Sequence, residues 1–225
     1  MITRECRHIQ ANSPLKGSEM NYLNEPLIKF IENLSARLPA PGGGSASALV
    51  GALASSLNCM TANFTIGNEK YKAVESEMET LLLKSEALRD ELLSLIKEDI
   101  DAYSMVSKAN KELKTAGVSA EEKTKKKEEL TKKAAEVPFK IMQACNKTLL
   151  LCKPMMEKGN KYLLSDVAVA AIFALAALKG AHVNVKINFS CLRDEKYKNE
   201  KNEIISKMLK ESERLEKEVL AGFSV

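Results

Sequence analysis

A run of three glycines and a serine opens the least charged part of the chain: Gly42, Gly43, Gly44 and Ser45. A glycine-rich turn that leads into a helix exposes backbone N–H groups and a partial positive charge, and glycine lets a ligand come close to the backbone. The run could therefore hold a carboxylate, a phosphate or the polar edge of a ring. A tight connection between two helices would use the same residues, and the run matches neither the Walker A nor the GxGxxG pattern.

Asp99, Asp166 and Lys70 could each transfer a proton, as could other carboxylates and lysines of the chain. Acid–base chemistry needs one group that takes a proton and one that gives it. Asp99 interrupts a packed helical pattern, which is costly unless the carboxylate serves a purpose; an exposed place beside Lys97 or Asp101 is the alternative. Asp166 could equally cap a helix together with Ser165, and Lys70 could be a surface lysine in a loop.

The composition argues against several other chemistries. The chain has two histidines and five cysteines, and it contains neither the HxE…PCxxC zinc pattern of deaminases nor a CxxC pair. We therefore expect no metal site, and reduced thiols in a cytoplasmic protein. The net charge of +4 is spread over both signs without clustered bases and aromatics, so nucleic acid is not an expected partner.

Apolar periodicity and helix-forming composition predict an all-α bundle of about six helices. The predicted helices cover residues 27–34, 45–66, 71–114, 119–157, 166–178 and 194–220. Ser119 and Glu122 form a capping box, and Pro138 should kink its helix or begin a new one. Residues 183–189 fit a strand as well as a helix, because apolar side chains alternate there.

The uncharged segment 45–66 predicts a central buried helix rich in small residues. Ser, Thr and Asn recur through it, which argues against a membrane span, and the uncharged run 167–178 is too short to cross a membrane. Small residues let neighbouring backbones approach closely and favour an extensive symmetric interface. We expect one helical domain over residues 20–225, with residues 1–19 as an added leader or a disordered extension.

Six motifs occur in order along the chain: LPAPGGGSASAL, TIGNEKY, EDIDAY, VP, GN…SDV and GAHVNVKIN. Together they resemble the cyclodeaminase/cyclohydrolase family of folate enzymes, over essentially residues 20–225. The resemblance implies an all-α fold, a homodimer, and a site for a tetrahydrofolate derivative that needs neither a metal nor a bound cofactor. It also leaves room for a separate formiminotransferase as a partner.

The resemblance also implies site residues. The matching positions are Pro41 to Ser45 in the glycine-rich loop, Thr65, Gly67, Lys70 and Tyr71 in T-x-G-x-x-K-Y, Asp99, Ala102 and Tyr103 in D-x-x-A-[FY], Asn160, Ser165 and Asp166 in GN…SD, and Asn184 and Asn188 in N-V-x-x-N. One position departs from the family pattern, because Tyr162 stands where an asparagine is usual. The asparagines would form hydrogen bonds with the edge of the pterin ring or simply cap helix ends.

Two related reactions fit these residues. In cyclodeamination N10 of the folate attacks the formimino carbon on N5, ammonia leaves and the 5,10-methenyl bridge remains; a cyclohydrolase adds water to that bridge instead. We expect formimidoyltetrahydrofolate cyclodeaminase activity, with Asp99, Asp166 and Lys70 as the acid–base groups and methenyltetrahydrofolate cyclohydrolase as the alternative. A non-enzymatic helical interaction protein is the competing class, and a wide separation of these groups would favour it.

Overall fold

The computed structural model describes residues 21–115 and 119–223, in which the chain forms six α-helices and three short 3-10 turns. The helices are α1 (Leu27–Ser35), α2 (Gly43–Asn63), α3 (Glu75–Thr115), α4 (Ala120–Lys158), α5 (Leu164–Ser190) and α6 (Glu195–Gly222). The 3-10 turns are Tyr22–Asn24, Glu69–Val74 and Lys161–Leu163. The described ranges contain no strand, which confirms the all-α prediction; the predicted leader lies outside them.

Contacts along α2 fix the directions of the long helices. Along α3, Ser45 meets Asp99 and Ser55 meets Ser85. Along α4, Gly51 meets Cys145 and Asn58 meets Thr148. On the α5 side, Ser47 meets Gly180, and Thr65 just after α2 meets Asn160 just before α5. Residue numbers rise along α4 as they rise along α2, and they fall along α3 and α5. Helices α2 and α4 therefore run in parallel, α3 and α5 run against them, and α6 packs on α4 and α5.

Small residues let α2 approach its neighbours closely. Four alanines of α2 are buried, and a Cβ atom on Gly51 would lie 2.7 Å from Cys145 Sγ and 3.1 Å from a Leu92 methyl group. Buried polar groups of the helix are paired, since the Ser55 hydroxyl donates to a backbone carbonyl of α3. The helix is nevertheless open on one side, where Leu53 is 47% exposed.

Other apolar side chains also lack cover within the chain. In α1 only Phe30 is buried, edge-on against Tyr22, whereas Leu27 and Ile31 on the predicted apolar face are exposed. In α5 the exposed apolar residues are Val169, Ile172, Val183 and Ile187. By length and composition alone, the stretch Lys161–Ser190 is the one part of the described chain that could cross a membrane; 44% of its most apolar window is buried here, and core helices of soluble proteins meet the same criterion.

Three local features differ from or resolve the sequence-based expectations. Residues 183–189 are helical, because Val185 and Phe189 are buried against the bundle. Gly42 rather than Ser45 is the N-cap residue of α2, since the Ser45 hydroxyl bonds α3 instead. Pro138 begins no new helix and stays inside α4, where it is buried, while the predicted capping box at Ser119 is confirmed.

Candidate functional site

The start of α2 lies directly against Asp99 of α3. The Ser45 hydroxyl donates to Asp99 Oδ2 at 2.7 Å. A Cβ atom on Gly44 would lie 2.1 Å from Asp99 Oδ1, so position 44 has no room for any side chain. Gly42 faces open space, with nothing within 4 Å of a Cβ atom built there. The glycine run therefore lets a carboxylate reach the helix backbone and leaves an opening beside it.

The environment of Asp99 changes its acidity. Burial raises the pKa of the Asp99 carboxyl, and hydrogen bonds from the Ser45 hydroxyl and backbone N–H offset part of that rise. A carboxyl that keeps its proton to a higher pH is better suited to give that proton to a leaving group. The helix start thus combines donor N–H groups with an acid of perturbed pKa.

Helix α5 forms the other wall at this end. A Cβ atom on Gly43 would lie 3.4 Å from Asn184 Nδ2. Asn184 Nδ2 donates to the Gly180 carbonyl and Asn188 Nδ2 to the Asn184 carbonyl, both at 3.0 Å. The side-chain oxygens of the two asparagines accept no hydrogen bond from the described part of the chain, so they remain available to a polar ligand.

A second group of predicted residues surrounds the opposite end of α2. Asn160 donates its backbone N–H to Thr65 Oγ1 at 2.9 Å and its side-chain amide to the Phe64 carbonyl at 2.9 Å. The Tyr71 hydroxyl accepts from the Lys161 backbone N–H at 2.9 Å. Gly67 has φ +73°, the left-handed region that favours glycine, which turns the chain between Thr65 and Tyr71. These bonds hold the segment after α2 against the segment before α5.

Lys70 and Asp166 belong to this second group. Lys70 is exposed in the turn before α3, and Asp166 is half-buried in the first turn of α5, next to the exposed Ser165. Neither the lysine ammonium nor the Asp166 carboxylate has a hydrogen-bond or ion-pair partner among the described residues. Both groups are therefore free to act on a bound molecule.

Within one chain the two groups are far apart. Asp166 and Asn184 are 18 residues apart on α5, about 27 Å at the rise of an α-helix. The structure brings Asp99 together with Gly43, Gly44, Ser45 and Asn184, and it brings Lys70, Tyr71, Asn160, Ser165 and Asp166 together at the other end. A single protomer does not place Asp99 beside Asp166.

One close contact at the first group was missed at the sequence level. A Cβ atom on Gly180 would lie 2.6 Å from Ser47 Oγ, whose hydroxyl donates to the Gly43 carbonyl. The signal in the sequence is a glycine that follows Lys179, directly after the uncharged run 167–178. Among residues 21–115 and 119–223, no three His, Cys, Asp or Glu side chains cluster as a metal site would require.

These features define an all-helical bundle that carries candidate site residues, with ionisable side chains among them, at both ends of a glycine-initiated helix. The chain belongs to the formiminotransferase-cyclodeaminase family, whose model matches residues 26–207. This confirms the resemblance seen in the ordered motifs.

Individual relatives of the family differ in size. The chain is 33% identical over 196 residues to the methenyltetrahydrofolate cyclohydrolase of Methylorubrum extorquens, covering 87% of this chain and 94% of that one. It is 30% identical over 213 residues to the formimidoyltransferase-cyclodeaminase of Gallus gallus, covering 95% of this chain but 39% of the longer relative. The crystal structure of formiminotetrahydrofolate cyclodeaminase from Thermotoga maritima superposes with a TM-score of 0.80 at 30% identity, covering 89% of this chain and 96% of that one.

Proposed function

We propose that the protein is a folate one-carbon enzyme, a formimidoyltetrahydrofolate cyclodeaminase that releases ammonia and forms 5,10-methenyltetrahydrofolate. The observation that carries the proposal is the Asp99 carboxyl, whose pKa is raised by burial, held 2.7 Å from Ser45 at a glycine-rich helix start. Family membership and the name of the Thermotoga maritima relative support the substrate class. Metal or bound cofactor plays no part in the proposed chemistry.

The reaction needs two proton transfers. N10 forms a bond to the formimino carbon and gives up its proton, and the formimino nitrogen must gain protons before the carbon–nitrogen bond breaks and ammonia leaves. The raised pKa of Asp99 suits it to donate to the departing nitrogen. Asp166 would take the N10 proton, and the Lys70 ammonium in the same group would act as a proton donor or as an electrostatic partner. The side-chain oxygens of Asn184 and Asn188 would accept hydrogen bonds from the pterin edge, while Asn160, Ser165 and Tyr71 would shape the second group.

A homodimer would bring the start of α2 in one protomer next to the end of α2 in its partner. A two-fold axis across the helix sets α2 of one protomer antiparallel to α2 of its partner, so the Asp99 end of one chain meets the Asp166 end of the other. Leu53 of α2 and Ile172 of α5 are exposed in the single chain and would lie in such an interface. In this arrangement each dimer holds two complete sites, and the separation within one chain no longer opposes an enzymatic function.

Methenyltetrahydrofolate cyclohydrolase activity is the second candidate. The relative from Methylorubrum extorquens carries that name and matches this chain along nearly its whole length. The tetrahedral carbon and the ring nitrogens are the same in both reactions, so one set of acid–base groups could serve either. For both candidates we infer a cytoplasmic enzyme without a nucleic-acid or membrane partner; a separate formiminotransferase would supply the formimino substrate of the first.

The near-ultraviolet absorbance of methenyltetrahydrofolate distinguishes the candidates. With purified protein and 5-formimidoyltetrahydrofolate, we expect the absorbance to rise as ammonia is released. A fall from methenyltetrahydrofolate that outpaces the buffer blank, without a response to the formimino substrate, would identify a cyclohydrolase. No change with either substrate would overturn the enzymatic proposal and favour a helical interaction protein.

The same assay tests the residue roles. Asp99→Asn, Asp166→Asn and Lys70→Met should keep the helical circular-dichroism spectrum and lose activity by about 100-fold or more. Asp101→Asn is the matched control on α3, because Asp101 pairs with Lys97 away from the helix start. Full activity in any one of the three variants removes that residue from the mechanism.

A further inference from the structure

The side chain of Tyr103 in α3 has neither a hydrogen-bond partner nor an aromatic partner in the described part of the chain. Within the described chain the hydroxyls of Tyr22 and Tyr71 each accept a hydrogen bond, and the Tyr197 hydroxyl donates one to a glutamate. The Tyr103 side chain is 51% exposed, and over the described ranges its ring pairs with no other aromatic and its hydroxyl has no hydrogen-bond partner. The Tyr162 side chain is also unpaired among the residues that the structure describes and is 86% exposed, so exposure alone does not single out Tyr103; its place relative to Asp99 does.

The position of Tyr103 relates it to the start of α2. Residues four apart on a helix are neighbours on one face, so Tyr103 follows Asp99 by one turn. Long side chains on a helix lean toward its N-terminus, and Tyr103 therefore covers the turn that contains Asp99. Asp99 in turn touches Gly44 and Ser45, while Gly42 faces open space. The tyrosine consequently stands at the rim of the opening beside the glycine run.

We propose that Tyr103 is a substrate-binding residue whose ring stacks on the flat pyrimidine ring of the pterin and holds the substrate at the opening beside Asp99. The inference rests on the proposed function and adds a contact that holds the substrate rather than one that moves protons. Tyrosine suits this task because it offers a large rigid face with few rotatable bonds. Its hydroxyl can stay in water while the ring is covered.

Substitutions separate stacking from chemistry. Tyr103→Leu should weaken binding of 5-formyltetrahydrofolate, used as an unreactive probe in titration calorimetry, about tenfold, the usual range for loss of a ring stack. KM should rise by a similar factor with kcat nearly unchanged, because the stack holds ground state and transition state alike. Tyr103→Phe keeps the ring and should stay within about twofold of the wild type. Leu83→Ala, at an exposed position of α3 about four turns before Asp99, should change neither quantity.

The absence of tryptophan from the chain provides a second readout. Tyr103→Trp introduces the chain's only tryptophan at the rim, and the probe should quench tryptophan emission. In Leu83→Trp the tryptophan emission should stay constant at the same probe concentrations. Wild-type affinity in Tyr103→Leu, or probe binding to Tyr103→Trp without quenching, overturns the role of Tyr103 and leaves the proposed function intact. Failure of the wild type to bind or convert any tetrahydrofolate overturns the proposed function and this inference with it.

Discussion

The contact between Asp99 and the start of α2 joins three separate signals in the sequence. The glycine run, the serine that follows it and an aspartate 54 residues later form one unit. Composition drew attention to the glycine run, and the resemblance to the family selected Asp99. They could not show the contact, because the distance between α2 and α3 depends on every side chain packed between the two helices.

The altered pKa of Asp99 predicts how stability depends on pH. Burial raises the pKa in the folded protein, so the native state binds more protons than the unfolded chain, and stability falls as pH rises above the unfolded value of about 4. Asp99→Asn removes the ionisable group and with it this fall in stability at higher pH. Urea unfolding should find the variant more stable than the wild type at pH 7 and about equally stable below pH 4. A stability difference that does not change with pH would contradict the prediction, and Asp101→Asn serves as the control.

The crowding at Gly44 predicts a steric effect at a single position. Gly44→Ala places a methyl group within 2.1 Å of Asp99 Oδ1, so the carboxylate or the helix must move. We expect a loss of about 1–3 kcal/mol in unfolding free energy, as for an overpacked site, together with a loss of activity. Gly42→Ala, which meets nothing within 4 Å, should leave the unfolding free energy nearly unchanged. Equal denaturation midpoints for the two variants would show that the contact does not constrain the fold.

At the scale of the elements, helix existence was easier to predict than helix boundaries. The long periodic stretches became α3, α4 and α6, and the capping box at Ser119 begins α4 as expected. The alternating residues 183–189 remained ambiguous, since alternation over one short stretch fits a strand as well. They are helical because they continue α5, whose other side chains are buried in the bundle. Tertiary packing, which is absent from any local window, decided that case.

The crossing of α2 with α4 predicts a coupling between two residues. Gly51→Ala places a methyl group 2.7 Å from Cys145 Sγ and should lower the unfolding free energy by about 1–3 kcal/mol. Cys145→Ala alone removes a buried sulfur and should also destabilise. In the double variant the new methyl group occupies space that the sulfur has left. The double variant should therefore lose less unfolding free energy than the two single variants lose in sum. Chemical denaturation of all four proteins measures this; simple additivity would contradict a direct contact.

At the scale of the whole molecule, one chain holds two groups of candidate site residues about 27 Å apart along α5. Sequence motifs identified members of both groups but carried no information on which chain supplies which member. The surface of the single chain also exposes apolar side chains on α1, α2 and α5. The proposed homodimer would account for both observations, because a two-fold axis that covered these side chains would also bring unlike ends of α2 together.

Mixed dimers test this shared site most directly. Asp99→Asn and Asp166→Asn chains are unfolded together, refolded as an equal mixture, and assayed by the near-ultraviolet absorbance of methenyltetrahydrofolate beside each variant refolded alone. If the two aspartates of a site come from different protomers, every mixed dimer holds one intact site, and random pairing should restore about a quarter of wild-type activity. Each variant alone should stay inactive. A mixture as inactive as its components, with mixed dimers shown by mass spectrometry, would contradict a site shared between protomers.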